Sequence, residues 1–90
     1  MKFKVWHDRN PNFGFGPQTE FNDANFELVA VVNAADEDEV FELTNHIDHP
    51  WWENKQVEWH KESRSTSTGD VVEDESGTKF RCMSVGWKQF

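Results

Sequence analysis

Phe26-Glu27-Leu28-Val29-Ala30-Val31-Val32 is the stretch from which the fold is read. It is rich in β-branched residues and nearly continuous in its apolar character, the pattern of a strand in the interior of a sheet. Asn33-Ala34-Ala35 leads from it into a segment with helical spacing. Asp36, Glu37, Asp38 and Glu39 crowd the first turn of that segment, where the positive end of a helix dipole favours anions. Val40, Leu43 and Ile47 fall at i, i+3 and i+7, and Phe41 widens the stripe. Asn45, His46 and His49 gather at the far end, and Pro50 forbids continuation.

On the N-terminal side, Met1 to His7 alternates Phe3, Val5 and His7 with Lys2, Lys4 and Trp6. A period of two predicts a strand with one apolar face. Residues 8–25 form a long connection, broken by Asn10-Pro11-Asn12 and Gly14-Phe15-Gly16-Pro17. On the C-terminal side, Val57 to His60 alternates enough for a short strand. Ser63 to Gly69 is a hydroxyl-rich loop. Asp70 to Glu73, a turn at Asp74-Glu75-Ser76-Gly77, and Thr78 to Met83 read as a hairpin. Val85 to Phe90 finishes the sheet edge. The expected fold is α+β: a small, mainly antiparallel sheet of about four to five strands with one helix packed on it. It forms a single domain spanning residues 1–90.

A chain of 90 residues holds one modest core. Five Trp and eight Phe must supply much of it, and the absence of Tyr removes any phenol for acid–base work. Nine basic against seventeen acidic residues leave a net charge of −8. That balance disfavours unaided binding to a phosphate backbone or an anionic membrane and suits a partner with a basic surface. A single cysteine, Cys82, rules out an intrachain disulfide and makes the cytoplasm the expected compartment. The N-terminus lacks an apolar signal core, and no stretch approaches the roughly eighteen apolar residues of a membrane span.

Several groups invite chemistry. Arg64, Ser65, Thr66, Ser67 and Thr68, followed by Gly69 and Asp70, offer a guanidinium and hydroxyls that can grip an anion. The competing reading is that these hydroxyls cap their own turn, with Gly69 supplying an unusual backbone angle. His46, His49, His60 and Cys82 are metal-ligand types, but nothing in their spacing makes them converge, so no bound metal and no cofactor is expected. Cys82 alternates with Phe80 and should face the core as a small hydrophobe. No residue pattern sets a base beside a nucleophile, so the chain is expected not to be an enzyme. The acidic runs Asp36–Glu39 and Glu73–Glu75 can imitate a nucleic-acid backbone, although helix-dipole compensation and a solvated hairpin tip explain them better. Trp51 and Trp52 follow the helix at once, so one indole should cover the core while the other, expected to be Trp52, faces out beside Glu53. Phe13 and Phe15 in the long connection are the other candidate anchors for a partner.

The segments Phe26–Ala30, Asp38–Asn45, Pro50-Trp51, Arg64–Val72 and Val85-Gly86-Trp87, in that order, resemble a family of short uncharacterised proteins carried by phages and plasmids, largely of actinobacteria. The pattern from Arg64 to Trp87 is also distantly similar to a YodL-like segment of mobile-element proteins. The resemblance covers most of the chain from Phe26 onward and brings no catalytic residue with it. It implies an accessory role inside a bacterial host. The chain is therefore expected to be a small, acidic, non-enzymatic binding protein of a mobile element, with inhibition of a host or defence factor as one such role. The alternatives are a nucleic-acid-associated module using Arg64, Lys2, Lys4 and exposed aromatics, and a small metal protein or enzyme using the histidines.

Overall fold

The strand read from Phe3, Val5 and His7 runs from Lys2–Asp8 (β1) and lies at the middle of the sheet. The computed structural model describes residues 1–45 and 49–90. β1 is flanked on one side by Phe26–Asn33 (β2) and on the other by Val71–Glu73 (β4). Beyond β2 lies Val57–His60 (β3). Beyond β4 come Lys79–Cys82 (β5) and Trp87–Gln89 (β6). All neighbours are antiparallel, in the order β3-β2-β1-β4-β5-β6. Among the described residues the sheet thus has six strands, not four to five, and the fold is mostly antiparallel sheet with one short helix rather than a balanced α+β layer pair. The reason for the discrepancy is local. The edge segment read as Val85 to Phe90 is a strand only over Trp87–Gln89 (β6), but it pairs fully with β5 and counts as the sixth.

The helix is also shorter than its sequence suggests. It runs only over Glu37–Leu43 (α1). Asp36 caps its start by accepting the Glu39 N–H at 2.9 Å, and the Glu39 carboxylate reaches back to the Ala35 N–H at 3.0 Å. Its end is drawn away from further helical bonding. The Leu43 carbonyl accepts from the Asn54 side-chain amide at 2.8 Å, and the Thr44 carbonyl accepts from the Thr66 N–H at 3.0 Å. The Thr44 hydroxyl turns back onto the Val40 carbonyl at 2.8 Å. Ile47, assigned from sequence to the same stripe, lies outside the described residues. A single 3-10 turn, Trp51–Glu53, follows.

The two faces of the sheet are covered differently. Phe3, Val5, Ala30, Val32 and Val72 meet Val40 of α1 and the Trp51 indole, forming the main core. Cross-strand partners Phe3 with Val32 and Val5 with both Ala30 and Val72 place these side chains on one face. A register shift in β2 lets neighbouring Val29 and Ala30 both be buried. On the opposite face Trp6 points away from α1. Phe21, from the long connection, contacts Trp6 at 5.4 Å, Phe26 at 5.0 Å and Phe90 at 6.0 Å between ring centres. Residues 9–25 are therefore a cover for that face, pinned through Phe21. Among the described residues no helix is long and apolar enough to cross a membrane.

Candidate functional site

The hydroxyl-rich loop folds inward around Asp70, which has no exposed surface. The Arg64 guanidinium grips its carboxylate with two parallel bonds, at 2.7 and 2.8 Å. The same carboxylate accepts the N–H groups of Asp8 at 2.9 Å and Ser67 at 2.8 Å. Arg64 also donates to the carbonyls of Asp8 and Ser65 and to the Ser67 hydroxyl. Of the two readings of this loop, the guanidinium is committed to an internal carboxylate rather than left open to an outside anion. Thr66 is fully buried, and its hydroxyl lies 2.9 Å from His7 Nε2. Ser65 and Thr68 are half-buried.

Sequence reading passed over His7, which the alternation with Phe3 and Val5 had already placed on the core face. The imidazole is 3% exposed and sits between the hydroxyls of Thr66 and Ser63, the latter 3.1 Å from Nδ1. Burial pushes its pKa down from 6.5 to about 4, with nearby Asp70 pulling the other way. Ser63, His7 and Asp70 have the composition of a nucleophile–base–acid set, but not its geometry. Nε2 to Asp70 is 3.9 Å, and the Asp70 oxygens are occupied by Arg64 and two amides. A base with so low a pKa is weak at neutral pH, and the cluster reads as a satisfied polar core.

Gly69 closes the loop at φ +97°, in the region that side chains resist. A Cβ there would meet nothing within 4 Å, so the cost of adding one is conformational and not steric. Gly69→Val is expected to lower stability by about 1 kcal/mol or more. A melting curve indistinguishable from that of the parent would show that the turn tolerates another backbone angle.

Trp51 is buried at 2% exposure, and its indole N–H is shared between the carbonyls of Ser63 and Arg64 at 3.1 Å each. Trp52 is half-buried and lies nearly flat on the His60 ring, 5.9 Å between centres at 15°. Glu53 beside it is exposed. Trp51 covers the core as one of the two was expected to, but Trp52 does not face out: it is half-buried and packs against the same core. The phenylalanines of the long connection are freer: Phe13 is 51% and Phe15 85% exposed. Their loop is internally braced. Asn12 accepts the Gly14 N–H at 3.0 Å through its side chain and donates to the Pro17 carbonyl at 2.8 Å. Phe13 holds φ +55°, strained for an aromatic residue. The Arg64 guanidinium lies 5.7 Å from the Phe13 ring centre, so the structure joins the two candidate regions into one surface.

Of the metal-ligand types, His46 lies outside the described residues. His49 faces Asn54 at 3.5 Å, and His60 stacks on Trp52. Among the described residues no three His, Cys, Asp or Glu side chains gather where a metal ion would be held. Cys82 is buried, and burial raises its thiol pKa to about 11, leaving little thiolate at neutral pH. Comparison with known proteins adds no likeness: no family model, no curated protein and no solved structure matches this chain.

Proposed function

We propose that this chain is a small, non-enzymatic protein-binding module of a mobile element. It acts in the cytoplasm of a bacterial host and docks through Phe13 and Phe15 onto a partner with a basic surface. The observation that carries this reading is the exposure of two aromatic rings on a braced loop. One of them, Phe13, is held at φ +55°, in the region side chains resist. Rigid, exposed aromatics supply contact area at low entropic cost, as hot-spot residues do. The net charge of −8 supplies the complement for a basic partner and disfavours nucleic acid. Arg64, which lies 5.7 Å from the Phe13 ring centre, has its charge answered by Asp70, which further weakens a phosphate-binding reading. The buried thiol and the low-pKa His7 support the absence of catalysis.

The test is capture from an actinobacterial lysate, followed by calorimetry with the captured protein. The double variant Phe13→Ala, Phe15→Ala is expected to bind at least about 2 kcal/mol more weakly. Its own stability should stay within about 0.5 kcal/mol of the parent, since both rings are exposed. Undiminished affinity of the double variant would move the docking surface elsewhere, with Trp52 and Glu53 next in line.

A further inference from the structure

Two opposite charges are buried side by side without touching. Asp8, at the end of β1, and Arg81, in β5, are each only 7% exposed. Among the described residues neither makes an ion pair. Arg81 gives its Nη atoms to neutral acceptors, the Gln18 side-chain oxygen at 3.2 Å and the Thr19 carbonyl at 2.8 Å. The Phe90 ring lies against the guanidinium at 4.9 Å. Its Nε is buried with no hydrogen-bond partner. A buried charged donor left unsatisfied is costly, and proteins seldom keep one without a use. Asp8 is fixed from behind. Its N–H goes to Asp70, its carbonyl accepts from Arg64, and its carboxylate holds the Asn10 N–H at 2.9 Å.

Between these charges is a partly enclosed cavity of about 130 Å³, lined by both of them and by Gln18, Thr68, Cys82 and Ser84. The long connection forms its outer wall. Gly14 approaches Thr68 so closely that a Cβ would sit 3.0 Å from the Thr68 methyl, so the wall depends on a residue without a side chain. The volume is close to that of the roughly 150 Å³ cavity that admits benzene in an engineered protein, so it fits a guest of about six heavy atoms. A lone anion would meet Asp8, and a lone cation would meet Arg81. A guest carrying both charges satisfies both walls.

We propose that this cavity is a binding site for a small zwitterionic amino acid, glycine or alanine in size, with its carboxylate on Arg81 and its ammonium group on Asp8. The desolvation that lowers the Arg81 pKa, opposed by Asp8, is the electrostatic signature of the same pair. The guest answers both buried charges at once.

The test is a two-dimensional amide NMR titration of the intact chain with glycine, acetate and methylammonium as separate probes. Glycine is expected to give saturable shifts at the amides lining the cavity, with an affinity at least about tenfold above that of acetate and of methylammonium. Asp8→Asn, which keeps size and shape, should erase the preference for glycine over acetate. Arg81→Lys should weaken glycine by a similar factor. Only linear, unsaturable shifts with glycine would overturn the proposal. So would equal affinity for glycine and acetate in the unaltered chain, a result that needs no variant to fold.

Discussion

The Asp70→Ala chain is expected to lose about 3–5 kcal/mol of unfolding free energy. Asp70 is fully buried and receives two bonds from Arg64 and one each from the amides of Asp8 and Ser67. Truncation leaves the Arg64 charge without its partner and the Asp8 N–H without an acceptor. Arg64→Ala breaks the pair from the other side and strands a buried carboxylate, so a loss in the same range is expected. Asp70→Asn should fall between the parent and the alanine variant, because it keeps one oxygen for the amides. A domain of this size has only about 5–13 kcal/mol in total, so either truncation removes a large part of it. Urea denaturation with an unchanged slope is the measurement. A loss below about 1 kcal/mol would mean that the loop is held mainly by Trp51 and Thr66.

Acid should undo a second part of the same cluster. His7 has a pKa of about 4 in the folded chain against 6.5 when exposed. Above pH 6.5 the ring is neutral in both states, and the stability associated with its burial is fully present. Between pH 6.5 and about 4 the unfolded chain binds a proton that the folded chain refuses, so stability falls as pH falls through that window. The shift corresponds to a loss of about 3 kcal/mol by pH 4. His7→Gln cannot titrate, so the difference between the two proteins' denaturation curves across this window isolates the effect from the carboxylates. Parallel pH profiles for the two proteins would show that the imidazole is not buried as described.

The parts of the fold legible in the sequence were those encoded by local periodicity. β1 and β2 carry their alternation and apolar run in seven or eight consecutive residues, and the acidic first turn Asp36–Glu39 lies within four. The helix end was not legible, because its last carbonyls are taken by Asn54 and Thr66, far along the chain. The same limit applied to the site. The string from Arg64 to Asp70 displays donors, but not that Asp70 turns back on Arg64 and makes the charge internal. His7 announced its burial by its place after Phe3 and Val5, yet its hydroxyl partners are 56 and 59 residues away. Asp8 and Arg81 share a wall only because β4 lies between their strands. The exposure of Phe13 and Phe15 came closest to direct reading, since glycines and prolines around them forbid a regular element that would bury them.

Photo-crosslinking inside a host cell tests the binding surface most directly. A photoreactive side chain at Phe15 is compared with the same group at Trp52, the rival apolar site. The account predicts one discrete heavier adduct from position 15, lost on Phe13→Ala, and none from position 52. An adduct from position 52 alone would contradict it, and so would the absence of any adduct from position 15.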